Sequence, residues 1–233
     1  MADPELERWD DVEVVTVAFG GSLVDWRAAV EAVLYETARR HGESPLDGGT
    51  GLRRRLERLE AAHPVPDGRF AAAFDALARE RGYRWAGAGS AALQRVVAGC
   101  RAFPDVVPAL ERAMRADLPV IAVADADADA VHAVLRPLDG AIRDVVTERQ
   151  LGGARDPRAA LACALRRARI PAARAVHVAT GREQLRAACS LGVRAAWLNR
   201  TAAPPHPDLP FTTELRSLHA LVDLAGRPAV AAG

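Results

Sequence analysis

The stretch VTVAFGGSLVDW, residues 15–26, indicates how the fold begins. Its first half belongs to an apolar, β-branched run that predicts a buried strand over Val12–Phe19. Gly20-Gly21-Ser22 ends this strand, and an amphipathic helix is predicted from Trp26 to His41. A strand that turns directly into a helix is a usual place for a ligand in an open α/β sheet. Ala18 stands where such a strand would present a reactive group, and no acid, thiol or base accompanies it.

The pattern changes twice along the chain. Between Trp26 and Phe103 the apolar spacing predicts only helices, whereas strands and helices alternate from Asp105 onward. Strands are predicted at PVIAVA, IRDVVT, RAVHVA and RAAWLN, and a single closing helix over Leu215–Leu224. Such alternation predicts an α/β fold with a doubly wound parallel sheet. We therefore predict an α/β core formed by residues 1–25 and 104–233, with an inserted helical cap at 26–103.

The composition excludes several function classes. Half of the 233 residues are apolar, and 31 basic residues against 30 acidic ones give a net charge of +1. This balance predicts neither a nucleic-acid surface nor attraction to an anionic membrane. Every basic residue other than histidine is arginine, so no mechanism can use a lysine.

Cysteine use and the ends of the chain predict the compartment. Cys100, Cys163 and Cys189 are unclustered in apolar helical surroundings, which predicts buried thiols in a reducing cytoplasm. The acidic start MADPELERWDD lacks an export segment, and no apolar run reaches the ~18 residues of a membrane span. We expect a soluble cytoplasmic protein that could form a homodimer.

Four phrases, in order, carry a resemblance to a known family. They are FGGSLVDW, FPDVVPALERAMRADLPVIAVAD, VVTERQLGGARDPRAALACAL and VHVATGREQLRAACSLGVRAAWLNR. Together they resemble the four sequence motifs of the haloacid dehalogenase-like (HAD-like) superfamily, in the branch with a helical cap that includes L-2-haloacid dehalogenases and related phosphatases. The resemblance covers nearly the whole chain and implies the family's Rossmannoid core.

The resemblance also implies that the family's working groups are replaced. The nucleophilic Asp corresponds to Ala18, and the second acid of the phosphatases to Gly20. The remaining family positions fall on Ser22 for a Thr, Ala124 for a hydroxyl, Asp125 for an Asn, Ala154 for a Lys with Arg155 next to it, Ala179-Thr180 for Gly-Asp, and Gln184 or Leu185 for a later acid. An alanine methyl can neither attack a substrate nor be acylated. We therefore expect no family-type hydrolysis, no metal and no other cofactor.

Three polar residues are candidates for catalytic contacts: Asp125, Arg155 and Thr180. Asp125 occupies a pocket position, but an acid between a strand and a helix can equally be an N-cap. Arg155 could bind a carboxylate or enolate oxygen, or simply pair with Asp156. Thr180 ends a strand at the edge where ligands bind, whereas His177 inside the same strand is interpreted as a core histidine rather than a base.

Two functions of different class follow from these positions. The first is a metal-free cyclisation or isomerisation of a small hydrophobic molecule, as in secondary metabolism, in a roomier apolar pocket between cap and core. That pocket would be lined by Ala18, Gly20, Ser22, Trp26, Tyr35, Ala124 and Ala179. The alternative is a pseudoenzyme that binds a metabolite or a partner protein as a regulator or scaffold. A minor alternative is a hydrolase whose acid has moved to Asp25 or Asp125.

Overall fold

The first strand, β1 (Val14–Ala18), lies in the middle of a parallel sheet. In the computed structural model, residues 9–62, 69–83, 88–124, 126, 128–152, 156–205 and 207–226 are described. Within them the other strands are β2 (Val120–Val123), β3 (Asp144–Val146), β4 (Ala175–Ala179), β5 (Arg194–Leu198) and β6 (Thr213–Leu215). The helices are α1 (Trp26–Arg40), α2 (Thr50–Ala62), α3 (Arg69–Glu80), α4 (Ala88–Gly99), α5 (Val106–Arg115), α6 (Ala128–Leu135), α7 (Pro157–Ala168), α8 (Arg182–Ser190) and α9 (Leu221–Leu224).

The strand order is β3-β2-β1-β4-β5-β6, and every neighbouring pair is parallel. This confirms the predicted doubly wound α/β sheet. Thr16 of β1 lies beside Ile121 of β2 and His177 of β4 in the register. The order reverses at β1, so the crevice beside its carboxyl end is the position where open α/β sheets bind ligands.

Helices cover both faces of the sheet. Successive β1 side chains point to opposite sides and therefore enter two different buried clusters. Val15 and Val17 join one buried apolar cluster, which includes residues of α5, α6 and α9. Val14 and Ala18 join the other, which includes residues of α7 and α8. Since both faces are covered, β1 is apolar apart from Thr16 and fully buried, as expected for a central parallel strand.

The helices α1–α4 form a helical cap that follows β1 directly. Asp25 begins α1, because its carboxylate accepts a hydrogen bond from the Ala28 amide at 3.0 Å. The two linkers between cap and core run beside each other. The Asp25 amide donates to the Arg101 carbonyl at 3.1 Å, and the Phe103 amide donates to the Leu23 carbonyl at 3.1 Å. The linkers therefore support one another where the chain leaves and re-enters the core.

The predicted closing helix over Leu215–Leu224 is wrong in its first part. Leu215 ends β6, whose backbone pairs with β5, and the Asn199 amide donates to the Leu215 carbonyl at 2.7 Å. Only a 3₁₀ turn at Leu218–Ala220 and the short α9 are helical. Backbone pairing with a buried strand has overridden the helical spacing of the leucines.

The cysteine prediction is also corrected at one position. Cys100 and Cys163 are buried, but Cys189 is exposed. Leu185 and Ala188 form the buried side of α8, and the residue after Ala188 is rotated by about 100° on a helix. Within the described ranges, no helix has both the length and the apolar character that a bilayer crossing requires.

Candidate functional site

Ala18 ends β1 at the centre of the carboxyl edge of the sheet. It lies beside Val123 of β2 in the register, and the residue before it, Val17, lies beside Val178 of β4. Its side chain is buried. The Phe19 amide donates to the Val123 carbonyl at 2.8 Å, which continues the sheet pairing one residue beyond the strand. The first strand therefore delivers a methyl group to the place where an open α/β sheet binds its ligand.

A small cavity, the strand-end cavity, opens at this position. It measures about 30 Å³ and is lined by Ala18, Phe19, Gly20, Val123, Ala124, Leu151, Asp156, Pro157, Ala160, His177 and Gln184. A space of this size holds about one or two water molecules. Leu151 and α7 cover it from one side. The described strand-end residues thus surround only a small space.

Three side chains give the strand-end cavity its polar character: Asp156, His177 and Gln184. Asp156 caps α7, since its carboxylate accepts a hydrogen bond from the Arg158 amide at 2.9 Å. The His177 side chain is buried, and its Nδ1 lies 2.9 Å from Oγ1 of Thr16. Burial lowers the pKa of His177 to about 4, so the imidazole is neutral near pH 7.

The residues predicted to line the pocket fall into two groups. Ala18, Gly20 and Ala124 lie on the strand-end cavity, together with Gln184, which the resemblance placed opposite a family acid. Ala179 is buried in the sheet and Ser22 is buried in the linker, and neither contributes to the described wall.

Thr180 packs against the turn after β1 rather than on the described wall of the strand-end cavity. A Cβ atom on Gly21 would lie 2.6 Å from the Thr180 hydroxyl oxygen, and Gly21 has a φ of 80°. Glycine is therefore required there both by the backbone conformation and by the close approach of Thr180. Two other candidates, Asp125 and Arg155, lie outside the described residues, as does Ala154.

The two aromatic residues proposed for the pocket both belong to α1 and contact other side chains. The Trp26 ring lies 5.8 Å from the ring of Phe19 and 6.4 Å from that of Phe70. Tyr35 lies under the guanidinium of Arg39, at 6.0 Å. Neither aromatic side chain lines the described wall of the strand-end cavity. Asp25, the minor candidate for a relocated acid, is occupied by its N-cap bond to α1.

An ion pair between the partly exposed Arg200 and the buried Asp105 holds the two linkers to the core. Arg200, after β5, donates from Nη1 to Oδ2 of Asp105 at 2.6 Å and from Nη2 to the Ser22 carbonyl at 2.8 Å. Its guanidinium lies 4.3 Å from the centre of the Phe103 ring. Asp105 also accepts a hydrogen bond from the Leu218 amide at 2.7 Å. Sequence reasoning missed this cluster because its members are far apart in the chain and share no motif.

A larger cavity, the α4–α6 cavity, lies between the cap and the core. It measures about 470 Å³ and is lined by Ala71, Ser90, Leu93, Gln94, Val97, Ala98, Asp129, Ala130 and Ala133. Aliphatic side chains make up most of this wall, and Ser90, Gln94 and Asp129 supply its polar groups. Asp129 is paired with Arg149 at 2.9 Å. The volume falls within the range of about 300–1,000 Å³ that is typical of small-molecule sites.

The described donors at the strand ends do not fit a magnesium ion. Mg²⁺ takes hard oxygen ligands in octahedral geometry, commonly from one or two carboxylates. Ala18 and Gly20 offer no side-chain oxygen, and Asp156 is the one carboxylate on the described wall of the strand-end cavity. Elsewhere among the described residues, no group of three or more His, Cys, Asp and Glu side chains could hold a metal ion.

Comparison with solved structures identifies the fold. A HAD phosphatase from Thermococcus onnurineus has a TM-score of 0.69 at 17% identity, over 94% of this chain and 100% of that one. A putative HAD-hydrolase from Bacillus subtilis bound to magnesium has a TM-score of 0.73 at 16% identity, over 94% and 99%. The L-2-haloacid dehalogenase from Xanthobacter autotrophicus with chloropropionic acid covalently bound has a TM-score of 0.71 at 15% identity, over 92% and 98%.

These similarities hold over almost the full length of each chain. The protein therefore has a HAD-like fold with a helical cap, as the resemblance implied. No protein-family model matches the sequence, and no curated protein matches it. At identities of 15–17% the agreement establishes the fold and leaves activity to be argued from the site.

Proposed function

We propose that this chain is a metal-independent, non-hydrolytic protein that binds a small, largely hydrophobic molecule between its helical cap and its core. The observation that carries this proposal is the α4–α6 cavity of about 470 Å³, with mostly aliphatic walls from the cap helices and α6. Burial of apolar surface is the main source of affinity for such a ligand. Ser90 and Gln94 provide hydrogen-bonding groups that could orient it.

The residue at the end of β1 supports the absence of hydrolysis. At this position the mechanism of the HAD-like family needs a carboxylate that attacks the substrate and becomes an ester. Ala18 has no atom that can do this, and its side chain is buried against α7. Neighbouring Gly20 cannot act as an acid. The poor fit of the described strand-end donors to Mg²⁺ supports the same conclusion for phosphate esters.

The small size of the strand-end cavity favours binding over catalysis. A catalyst for a hydrophobic substrate needs a concave site that brings the reacting atoms to polar groups. The strand-end cavity, at about 30 Å³, is too small for such a substrate. Trp26, which could have lined an enlarged pocket, instead packs against Phe19 and Phe70.

A second candidate function is the metal-free cyclisation or isomerisation of a hydrophobic metabolite. The observation in its favour is that Asp156, His177 and Gln184 share one cavity with Ala18. Hydrogen-bonding groups held in fixed positions can stabilise charge that develops in a reacting molecule. This candidate requires the cap to open far enough for a substrate to reach the strand ends.

Filling the α4–α6 cavity tests the proposed function. Ala133→Trp places an indole in the cavity, whereas Ala91→Trp, at an exposed position of α4 outside the cavity wall, is the matched control. The probe is N-phenyl-1-naphthylamine, an uncharged apolar dye. We expect saturable 1:1 binding by the original protein and by Ala91→Trp, and loss of binding by Ala133→Trp. Equal binding by both variants would exclude the cavity as the ligand site.

The two candidate functions predict different effects of the Ala18→Trp substitution. A tryptophan there would obstruct the strand-end cavity and stop a rearrangement carried out at the strand ends. It would leave dye binding in the α4–α6 cavity intact, because Ala18 is not part of that wall. Circular dichroism and thermal melting of each variant establish that it is folded before binding is compared.

A further inference from the structure

His177 is a buried imidazole with only one of its two ring nitrogens paired. The side chain is 2% exposed, and Nδ1 lies 2.9 Å from the Thr16 hydroxyl. Nε2 has no hydrogen-bond partner among the described residues. Nε2 is not among the fully enclosed unpaired atoms of the described residues, so it is open to the adjoining space, where water or a ligand can pair with it.

The hydrogen bonds of Thr16 determine which nitrogen carries the proton. Oγ1 of Thr16 donates its single proton to the Val176 carbonyl at 3.1 Å. The arrangement that satisfies all three groups has the same oxygen accept from Nδ1 of His177, which assigns the proton of the neutral ring to Nδ1. Nε2 consequently carries a lone pair. The lowered pKa of His177, about 4, agrees with a ring that stays neutral near pH 7.

Small neighbouring side chains leave this ring open to the strand-end cavity. His177 lies two residues before the carboxyl end of β4, beside Thr16 and below the level of Ala18. Ala18 and Ala160 place only methyl groups around the cavity that the imidazole helps to line. A longer side chain at either position would cover the ring.

We propose that Nε2 of His177 is the hydrogen-bond acceptor of a subsite in the strand-end cavity that takes an uncharged O–H or N–H group. The Asp156 carboxylate adds an acceptor to the same described wall, whereas the Gln184 amide oxygen lies close to Gly181. A carboxylate or phosphate oxygen faces lone pairs at Nε2 and Asp156, so it finds no hydrogen-bond donor there. On the described groups, this subsite therefore prefers an alcohol or a primary amide to an anion such as a carboxylate or phosphate.

The size of the cavity limits what enters it. About 30 Å³ accommodates one hydroxyl or amino group at the tip of a ligand, not a whole metabolite. The inference goes beyond the proposed function, because the α4–α6 cavity has its own walls and shares no residue with this one. Failure of the dye experiment leaves the His177 subsite unaffected, and the reverse also holds.

The test compares acetamide with acetone, which have nearly the same shape but differ in their N–H donors. Histidine labelled with ¹⁵N reports the protonation of each ring nitrogen, and the Ala18 methyl reports occupancy of the cavity. We expect His177 protonated on Nδ1 alone at pH 7. Acetamide should shift the Nε2 and Ala18 signals to saturation. Acetone should bind about tenfold more weakly, because it lacks one hydrogen bond and a net hydrogen bond changes the affinity by about this factor.

His177→Phe supplies the matched variant, since phenylalanine keeps an aromatic ring and removes the acceptor. In this variant the Ala18 methyl should no longer respond to acetamide. A proton on Nε2, an equal response to acetone, or a larger response to inorganic phosphate overturns the proposal. These three outcomes are read from the original protein, so the test stands even if His177→Phe does not fold.

Discussion

The imidazole Nδ1 of His177 lies 2.9 Å from the hydroxyl oxygen of Thr16, on the strand beside it. The two residues are register partners in β1 and β4, so the bond crosses the centre of the sheet. Thr16 is itself fully buried, and its hydroxyl donates a hydrogen bond to the Val176 carbonyl. The fold therefore gives one ring nitrogen of His177 a hydrogen-bond partner and excludes water from most of the ring.

This buried histidine should make stability depend on pH. The folded protein holds the pKa of His177 at about 4, below the ordinary value of 6.5. The unfolded chain therefore binds more protons between these values, and the free energy of unfolding falls as the pH drops from 6.5 to 4. The full loss is about 3 kcal/mol. Urea denaturation at several pH values should show it, and His177→Phe should reduce the slope in this window.

His132→Gln is the control for this effect. His132 lies on the exposed side of α6, so its replacement removes a histidine from the chain and leaves the buried ring of His177 in place. Equal slopes in the original protein and in His177→Phe would show that His177 does not cause the dependence.

Restoring a carboxylate at the end of β1 should not restore hydrolysis. Ala18→Asp supplies a nucleophile, but Gly20 and Ala124 still provide no side-chain acid or hydroxyl beside it. We expect no Mg²⁺-dependent hydrolysis of p-nitrophenyl phosphate above the rate of a heat-denatured sample, for the original protein or the variant. A steady turnover by the original protein would contradict the proposed function.

Magnesium should leave thermal stability unchanged. A ligand that binds only the native state raises stability through mass action, by about 2.7 kcal/mol at a concentration 100 times its Kd. The poor fit of Ala18, Gly20 and Asp156 to Mg²⁺ predicts no such gain. Thermal melting with millimolar MgCl₂, against NaCl at equal ionic strength, provides the measurement. A rise of several degrees with MgCl₂ alone would reveal a site that these residues do not explain.

Arg200 should be needed to hold the cap linkers to the core. Arg200→Met removes the partner of Asp105, whose carboxylate stays buried, and should lower the free energy of unfolding by about 3 kcal/mol. Arg27→Met removes an exposed pair with Glu31 and should cost less than about 0.5 kcal/mol.

Hydrogen exchange adds a local measurement of the same effect. Exchange at the Asp25 and Phe103 amides should be faster in Arg200→Met, because both amides pair between the linkers that Arg200 contacts. Unchanged exchange at these amides would show that Arg200 stabilises the fold without fixing the linkers.

One of the three thiols should react in the folded protein. Cys189 is exposed, whereas Cys100 and Cys163 are buried. Burial raises the pKa of Cys100 to about 11, which further suppresses its thiolate. We expect a single fast reaction with an aromatic disulfide reagent at pH 8, lost in Cys189→Ser and kept in Cys163→Ser. Fast reaction of two thiols would mean that the buried positions open readily.

Much of the fold could be predicted because its signals are local. The apolar run ending at Ala18, the helical spacing after Trp26 and the alternation after Asp105 each lie within a short stretch of chain. Side-chain periodicity follows directly from strand and helix geometry, so such stretches indicate their own structure. The order of the four HAD-like phrases was also contained in the sequence and matched the fold that the comparisons identified.

The remaining features depend on contacts between distant residues, which only the tertiary structure decides. Leu215 extends as a strand because β5 offers it backbone partners, although its spacing with the following leucines predicts a helix. His177 was interpreted as a core residue from its strand alone, yet pairing with Thr16 also gives its ring a place on the strand-end cavity. The volume of the strand-end cavity depends on how α7 packs across it, and that of the α4–α6 cavity on how α4 and α6 pack. Sequence spacing specifies which side of an element a residue occupies, whereas partners and empty space are fixed by packing between elements.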